Sequence, residues 1–143
     1  TATAYNLYIQ TWASDIHIGT GNWGPKEEGQ PIRIVRPYDP ADGDKIDGRI
    51  LSGTFSDFNG NLYDGVIIGG QVWSTTNLKA TSYADGTLIG TGYTDTEWSN
   101  LSTGAQTVYD FNLVSGIDSE QEMIDAYGRL YNWYAVTYGP NDY

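Results

Sequence analysis

Asp57, Asn59 and Asn61 stand at alternate positions, and three oxygen-bearing side chains at that spacing form the first half of a calcium-binding loop. The same residues around Gly60 also make an Asn-Gly turn. A calcium loop closes on a bidentate carboxylate at its twelfth position, where Ile68 stands, so the turn is the expectation. Calcium at Asp57, Asn59 and Asn61 is the one cofactor that the sequence raises. A second acidic group, Asp39, Asp42, Asp44 and Asp47, is interrupted by glycine and reads as a solvated linker before it reads as a metal site.

Catalytic chemistry finds less support. Nucleophilic hydrolysis needs an activated hydroxyl beside a base, and the one histidine, His17, sits within a strand pattern. The chain has no cysteine, which removes thiolate nucleophiles, thiolate metal sites and disulfides. No carboxylate pair stands in a strand-end setting that would single it out for glycoside hydrolysis. The expectation is a protein that is not an enzyme.

Binding through aromatic rings is better supported. The 143 residues include 12 Tyr, 5 Trp and 18 Gly, with one Met and only 17% charged residues. Tyr and Trp present large amphipathic faces that stack on sugar rings or fill protein pockets at low entropic cost. Trp12, Trp23, Tyr38 and Tyr93 lie in or beside loops and are the candidate ligand-binding residues. Trp73, Trp98, Tyr131 and Trp133 are expected to pack the core. Seven basic against 18 acidic residues give a formal charge of −11, which disfavours a nucleic-acid backbone as partner. No apolar run approaches the length of a membrane span, and no signal segment opens the chain, which begins at Thr1 and reads as a mature or partial polypeptide.

These side chains need elements to hold them. Tyr5 to Ile18 alternates imperfectly and predicts two strands, and Pro31 to Pro37 predicts a short strand fenced by prolines. Asn59-Gly60-Asn61 and Gly69-Gly70 are turn signals on either side of Leu62, Val66, Ile67 and Ile68, with Val72 and Trp73 beyond. They predict a β-hairpin ending in a buried tryptophan. Ser74 to Ala105 lacks a sustained period and is expected to be irregular, with a short strand over Val108 to Val114. Ser119 and Glu122 have the spacing of a capping box and predict a helix over Glu120 to Tyr127, stopped by Gly128. Leu130 to Val136 is expected as a buried strand.

The hairpin residues Asp57, Gly60, Asn61, Tyr63, Val66, Ile68, Gly69, Gln71, Trp73, Asn77 and Leu78 also form a spaced motif. Tyr83-Ala84-Asp85-Gly86-Thr87 follows, then Trp98 with Thr103-Gly104-Ala105, then Tyr127-Gly128-Arg129-Leu130-Tyr131-Asn132-Trp133-Tyr134-Ala135-Val136. In this order they resemble the opening of the Fibrobacter succinogenes major paralogous domain. The earlier stretch Gly29 to Pro37, preceded by Ala4 to Ile9, resembles the way such domains end, so the order is inverted. The resemblance implies residues 1–37 as the C-terminal strands of one module, 38–56 as an Asp/Gly-rich linker, and 57–143 as the N-terminal part of a second module. A window on a tandem array is the first expectation, and a rearranged chain whose two parts complete each other is the second. The resemblance further implies a C-type-lectin-like, formylglycine-generating-enzyme-like architecture. The latter enzymes work through cysteines, which this chain lacks.

The expected fold class is therefore α+β, mostly β, with short strands, long irregular loops and one short helix. The expected role is an adhesin-like, non-catalytic repeat, extracellular, on a cell surface or on a virion, as in a bacterial surface protein or bacteriophage fibre. Its expected partner is a cell-surface glycan or protein receptor, together with self-association or neighbouring repeats, and neither nucleic acid nor membrane insertion. The alternative is a purely structural repeat that assembles into a fibre, filament or virion component.

Overall fold

The computed structural model of the chain describes residues 6–12, 15–21 and 28–137, the first two stretches as backbone strands only. In order these form β1 (Asn6–Trp12), β2 (Asp15–Gly21), β3 (Gln30–Pro31), β4 (Val35–Pro37), a 3-10 turn at Pro40–Asp42, β5 (Ile50–Ser56), β6 (Leu62–Ile68) and β7 (Gln71–Ser74). There follow α1 (Asp95–Ser99), β8 (Gln106–Thr107), a second 3-10 turn at Phe111–Leu113, α2 (Glu120–Tyr127), β9 (Leu130–Tyr131) and α3 (Trp133–Val136). The class is mostly-β α+β, with antiparallel sheets and a few short helices. No helix among the described residues is long and apolar enough to cross a membrane.

The hairpin of β6 and β7 turns at Gly69-Gly70, whose φ angles of +59° and +97° are the two positive values a type I′ turn needs. It is the middle of a four-stranded sheet in the order β4-β7-β6-β5. Strict alternation sends Tyr63, Ile67, Val72 and Phe55 to one face, where they form the buried core with Ile34, Leu51 and Leu78 packed against them. Ile67 and Val72 are fully buried, which stabilises the fold by about 1.5–3 kcal/mol for each side chain. Within β6 position 65 is glycine, and a Cβ there would come within 2.6 Å of Val72 Cγ1. Arg36 crosses the inner face, its guanidinium 5.8 Å from the centre of the Phe55 ring.

A second sheet, in the order β3-β9-β8, joins residues near the two ends of the stretch 28–137. Gln30 pairs with Tyr131, and Tyr131 with Gln106. Residues 28–37 thus share sheets with residues 62–131, β3 against β9 and β4 against β7. β1 and β2 form a separate hairpin in which His17 stands opposite Gln10.

Within residues 38–56, Ile50–Ser56 is a strand that pairs with β6 through a bulge between Leu51 and Phe55. The Asp64 carboxylate stabilises that bulge by accepting from Gly53 N at 2.8 Å. Three expectations need correction. Trp73 is only half-buried, and it lies on the outer face because its neighbour Val72 takes the inner one. Val108 to Val114 holds a 3-10 turn, started by Asp110 accepting from Asn112 N, with the strand displaced to Gln106–Thr107. Leu130 to Val136 divides after two strand residues, because Asn132 caps a helix at that point and accepts from Ala135 N at 3.0 Å.

The α2 helix matches its expected span, and Ser119 Oγ accepts from Glu122 N at 3.2 Å. Glu122 reaches one residue further back than a capping box requires and accepts from Asp118 N at 2.7 Å. The α1 helix arises within the stretch expected to be irregular. Its signal, Thr94 followed three residues later by Glu97, is a full capping box in the structure.

Candidate functional site

The side-chain oxygens of Asp57 and Asn59 accept from protein donors, and Asn61 is itself one of those donors. The Asp57 carboxylate accepts from Asn61 N (3.0 Å), Asn61 Nδ2 (2.8 Å) and the Tyr63 hydroxyl (2.6 Å). Asn59 turns elsewhere: its Oδ1 accepts from Thr81 N (2.9 Å) and Ser82 N (3.1 Å), and its Nδ2 donates to Ser82 Oγ at 3.2 Å. The three residues thereby pin the β5–β6 turn to the loop that follows β7. Tyr63 completes the clamp by accepting from Lys79 N at 2.9 Å. Burial, reinforced by the bond to Asp57, raises the pKa of this phenol well above its ordinary value.

The acidic cluster is likewise used for turns. Asp42 takes a bidentate pair of bonds from Arg36, at 2.5 and 2.8 Å, which holds its carboxyl at about 2, below the ordinary 3.8. Asp39 caps the 3-10 turn by accepting from Ala41 N, and Asp47 accepts from Gly69 N in the hairpin turn. Among the described residues no group of three or more His, Asp or Glu side chains gathers as a metal site.

Loops organised by these clamps enclose a cleft of about 820 Å³, lined by Tyr83, Asp85, Thr87, Leu88, Gly90, Tyr93, Ser102, Thr103, Gly104, Tyr134 and Thr137. One wall is a tight loop in which Tyr83 N donates to Thr87 O (2.8 Å) and Thr87 N to Asp85 Oδ1 (2.9 Å). The opposite wall hangs from Asn132, which is fully buried. Its Oδ1 accepts from Ala105 N (2.9 Å) and Ala135 N (3.0 Å), and its Nδ2 donates to Thr103 O at 2.9 Å. One side chain therefore ties the Thr103–Ala105 strip to the start of α3.

Two glycines shape the interior. A Cβ on Gly104 would occupy the position of the Tyr83 hydroxyl, and a Cβ on Gly90 would collide with the Tyr93 hydroxyl. Both phenols can approach the backbone only because those positions lack side chains. The result is three tyrosine rings among Ser and Thr hydroxyls, with Asp85 as the single carboxylate on the wall. Between Lys79 and Arg129 every charged side chain is acidic, so the surroundings favour neutral or cationic guests over anions.

Of the four aromatic candidates, the structure brings Tyr93 into the cleft, where it is 38% exposed. Tyr38 is at the far end of the four-stranded sheet, half-buried against the core, with its hydroxyl donating to Gly43 O and Lys45 Nζ 6.0 Å from its ring centre. Trp12 ends β1 opposite Asp15, and Trp23 lies outside the described residues. Tyr83 and Tyr134 join Tyr93 although the sequence reading did not select them. For Tyr83 a signal was available in the glycine that faces its phenol, but Gly104 is twenty-one positions away, and only the fold pairs them.

A second, more apolar pocket of about 500 Å³ adjoins the first, and Tyr83 lines both. Comparison of the chain with protein-family models, with curated proteins and with solved structures finds no match.

Proposed function

We propose that the chain is a non-catalytic binding module of C-type-lectin-like type, related to the Fibrobacter succinogenes major paralogous domain and displayed outside a cell or on a virion. It recognises a neutral saccharide of a cell-surface glycan or glycoprotein receptor through the tyrosine-lined cleft. The observation that carries this reading is the meeting of Tyr83, Tyr93 and Tyr134 with Asp85, Thr87, Ser102 and Thr103 in one opening. Aromatic faces stack on the C–H faces of a pyranose while carboxylate and hydroxyl groups bond its rim, the division of labour expected of a saccharide site. A single carboxylate on the wall also fits binding better than glycoside hydrolysis, which uses two.

The test is a direct titration of the chain with methyl glycosides of neutral hexoses and N-acetylhexosamines, followed by amide chemical shifts. Saturable shifts are expected at residues 83–93 and 102–104, and Tyr93→Ala should weaken binding on the order of tenfold through loss of one stacking face. Saturable binding that Tyr93→Ala leaves unchanged would remove the cleft from the reading.

A structural repeat that assembles with further copies is the second reading. It is favoured by the outer face of the four-stranded sheet, where the register aligns Val35, Trp73, Val66 and Ile50 in one transverse apolar row. Val35 and Ile50 are exposed there. Light scattering on the same samples separates the two, since concentration-dependent oligomers dispersed by Trp73→Ser would favour assembly.

A further inference from the structure

We infer that the saccharide taken by the tyrosine cleft carries an apolar substituent, so that the site selects amphipathic glycosides or acylated sugars over bare sugars; this rests on the saccharide reading above. The observation is the pair of adjoining cavities. Successive residues of two segments divide between them. Ser82 and Ala84 line the apolar pocket while Asp85 and Thr87 line the cleft, and Ala135 and Val136 line the pocket while Tyr134 and Thr137 line the cleft. Tyr83 belongs to both walls, so a guest seated against its ring in the cleft is adjacent to the pocket.

The pocket itself asks for an apolar occupant. Its lining is dominated by Ile32, Phe58, Leu78, Ile89, Tyr131 and Val136. At about 500 Å³ it is far larger than the voids that close-packed interiors retain, and it falls within the usual range of ligand sites. Ordered water needs two to four polar partners, and three of the polar side chains on this wall already have partners within the protein. The Asp57 carboxylate accepts three bonds, Ser82 Oγ accepts from Asn59, and the Tyr131 hydroxyl donates to Ala80 O at 2.8 Å. Hydrocarbon displaces poorly held water at a gain. Each methylene transferred from water strengthens binding roughly fourfold.

Phe58 is the lip of the pocket. It is 60% exposed, and its ring lies so close over Gly86 that a Cβ there would meet Phe58 Cζ at 2.7 Å. Truncating it should alter the pocket without unfolding the chain.

The experiment titrates the full chain with matched methyl and octyl glycosides of one neutral hexose, the octyl compound below its micelle concentration, and with octanol alone. The octyl glycoside is expected to bind at least on the order of tenfold more tightly than the methyl glycoside. Phe58→Ala should reduce that ratio while leaving the methyl glycoside affinity unchanged, with the circular dichroism spectrum as the check on folding. Equal affinities for methyl and octyl glycosides would overturn the inference and leave the saccharide reading intact. Equal affinities for octyl glycoside and octanol, with no binding of any methyl glycoside, would overturn the saccharide reading and the amphipathic ligand with it. An octyl advantage that persists in full in Phe58→Ala would place the alkyl chain elsewhere and overturn the assignment to this pocket.

Discussion

Residues 28–79 and residues 80–137 solve the same problem by different means. Each buried backbone N–H and C=O must find a partner. In the first region most find one in the β4-β7-β6-β5 ladder, and side chains are left to fill the inner face with Phe55, Tyr63, Ile67 and Val72. In the second region strands are two residues long, and polar side chains take over: Asn132 holds three backbone groups, Thr94 and Ser119 cap helices, and Asn59 reaches across from the hairpin to hold Thr81 and Ser82. A ladder draws backbones together and closes space between them, whereas side-chain struts keep loops apart. The clefts accordingly open among the struts.

The comparison makes the two regions differ in what breaks them. Ile67→Ala, in the apolar face of the ladder, should cost about 3–4 kcal/mol, the largest effect expected, through lost transfer energy and the cavity left behind. Urea denaturation followed by tryptophan fluorescence measures it; a loss below about 1 kcal/mol would mean that the inner face is not the main core.

Asn132→Ala attacks the strut. It removes the one oxygen that accepts from two backbone N–H groups and the one donor to Thr103 O, and should cost about 2–3 kcal/mol, less than the core truncation. Its distinguishing mark is local: amide exchange should accelerate at Ala105 and Ala135 more than at Ile67 and Val72. Uniform acceleration across both regions would show that they unfold as one unit and would erase the contrast.

The smallest effect concerns the edge of the ladder. The Asp42 carboxyl lies below its ordinary value chiefly because Arg36 hydrogen-bonds it, with Asp39 N adding to the effect. A depressed folded-state value means that the contribution is present above about pH 4 and is lost as the pH falls through about 2. A carboxyl NMR titration should therefore find the Asp42 midpoint at about 2, returning toward 3.8 in Arg36→Gln. An ordinary midpoint in the unmodified chain would show that the pair does not persist in solution.

The hairpin and the α2 helix were legible because their signals are local. Gly69-Gly70 sets a turn by its own backbone freedom, and Ser119, Glu122 and Gly128 define a helix by bonds that span four residues or fewer. Trp73 misled because size argues for burial while alternation, fixed by Val72, puts it on the other face. Asn132 misleads in the opposite sense, since its aromatic and β-branched neighbours read as strand while its own side chain caps a helix. Asp57, Asn59 and Asn61 looked like one group by spacing, yet their bonds run in different directions. Of the cleft's residues only Tyr93 is a ligand-binding candidate from the sequence alone.

By itself the sequence determined the mostly-β class, the main turns, the α2 helix and the acidic, thiol-free surface chemistry, because periodicity, turn residues and charge act over a few positions. Which half-buried aromatics meet, which glycine admits which phenol, and which carboxylate a turn consumes were decided only in the tertiary structure. Those outcomes depend on partners such as Gly104 and Tyr83 or Asn59 and Ser82, more than twenty residues apart in the chain, which nothing in the local sequence brings together.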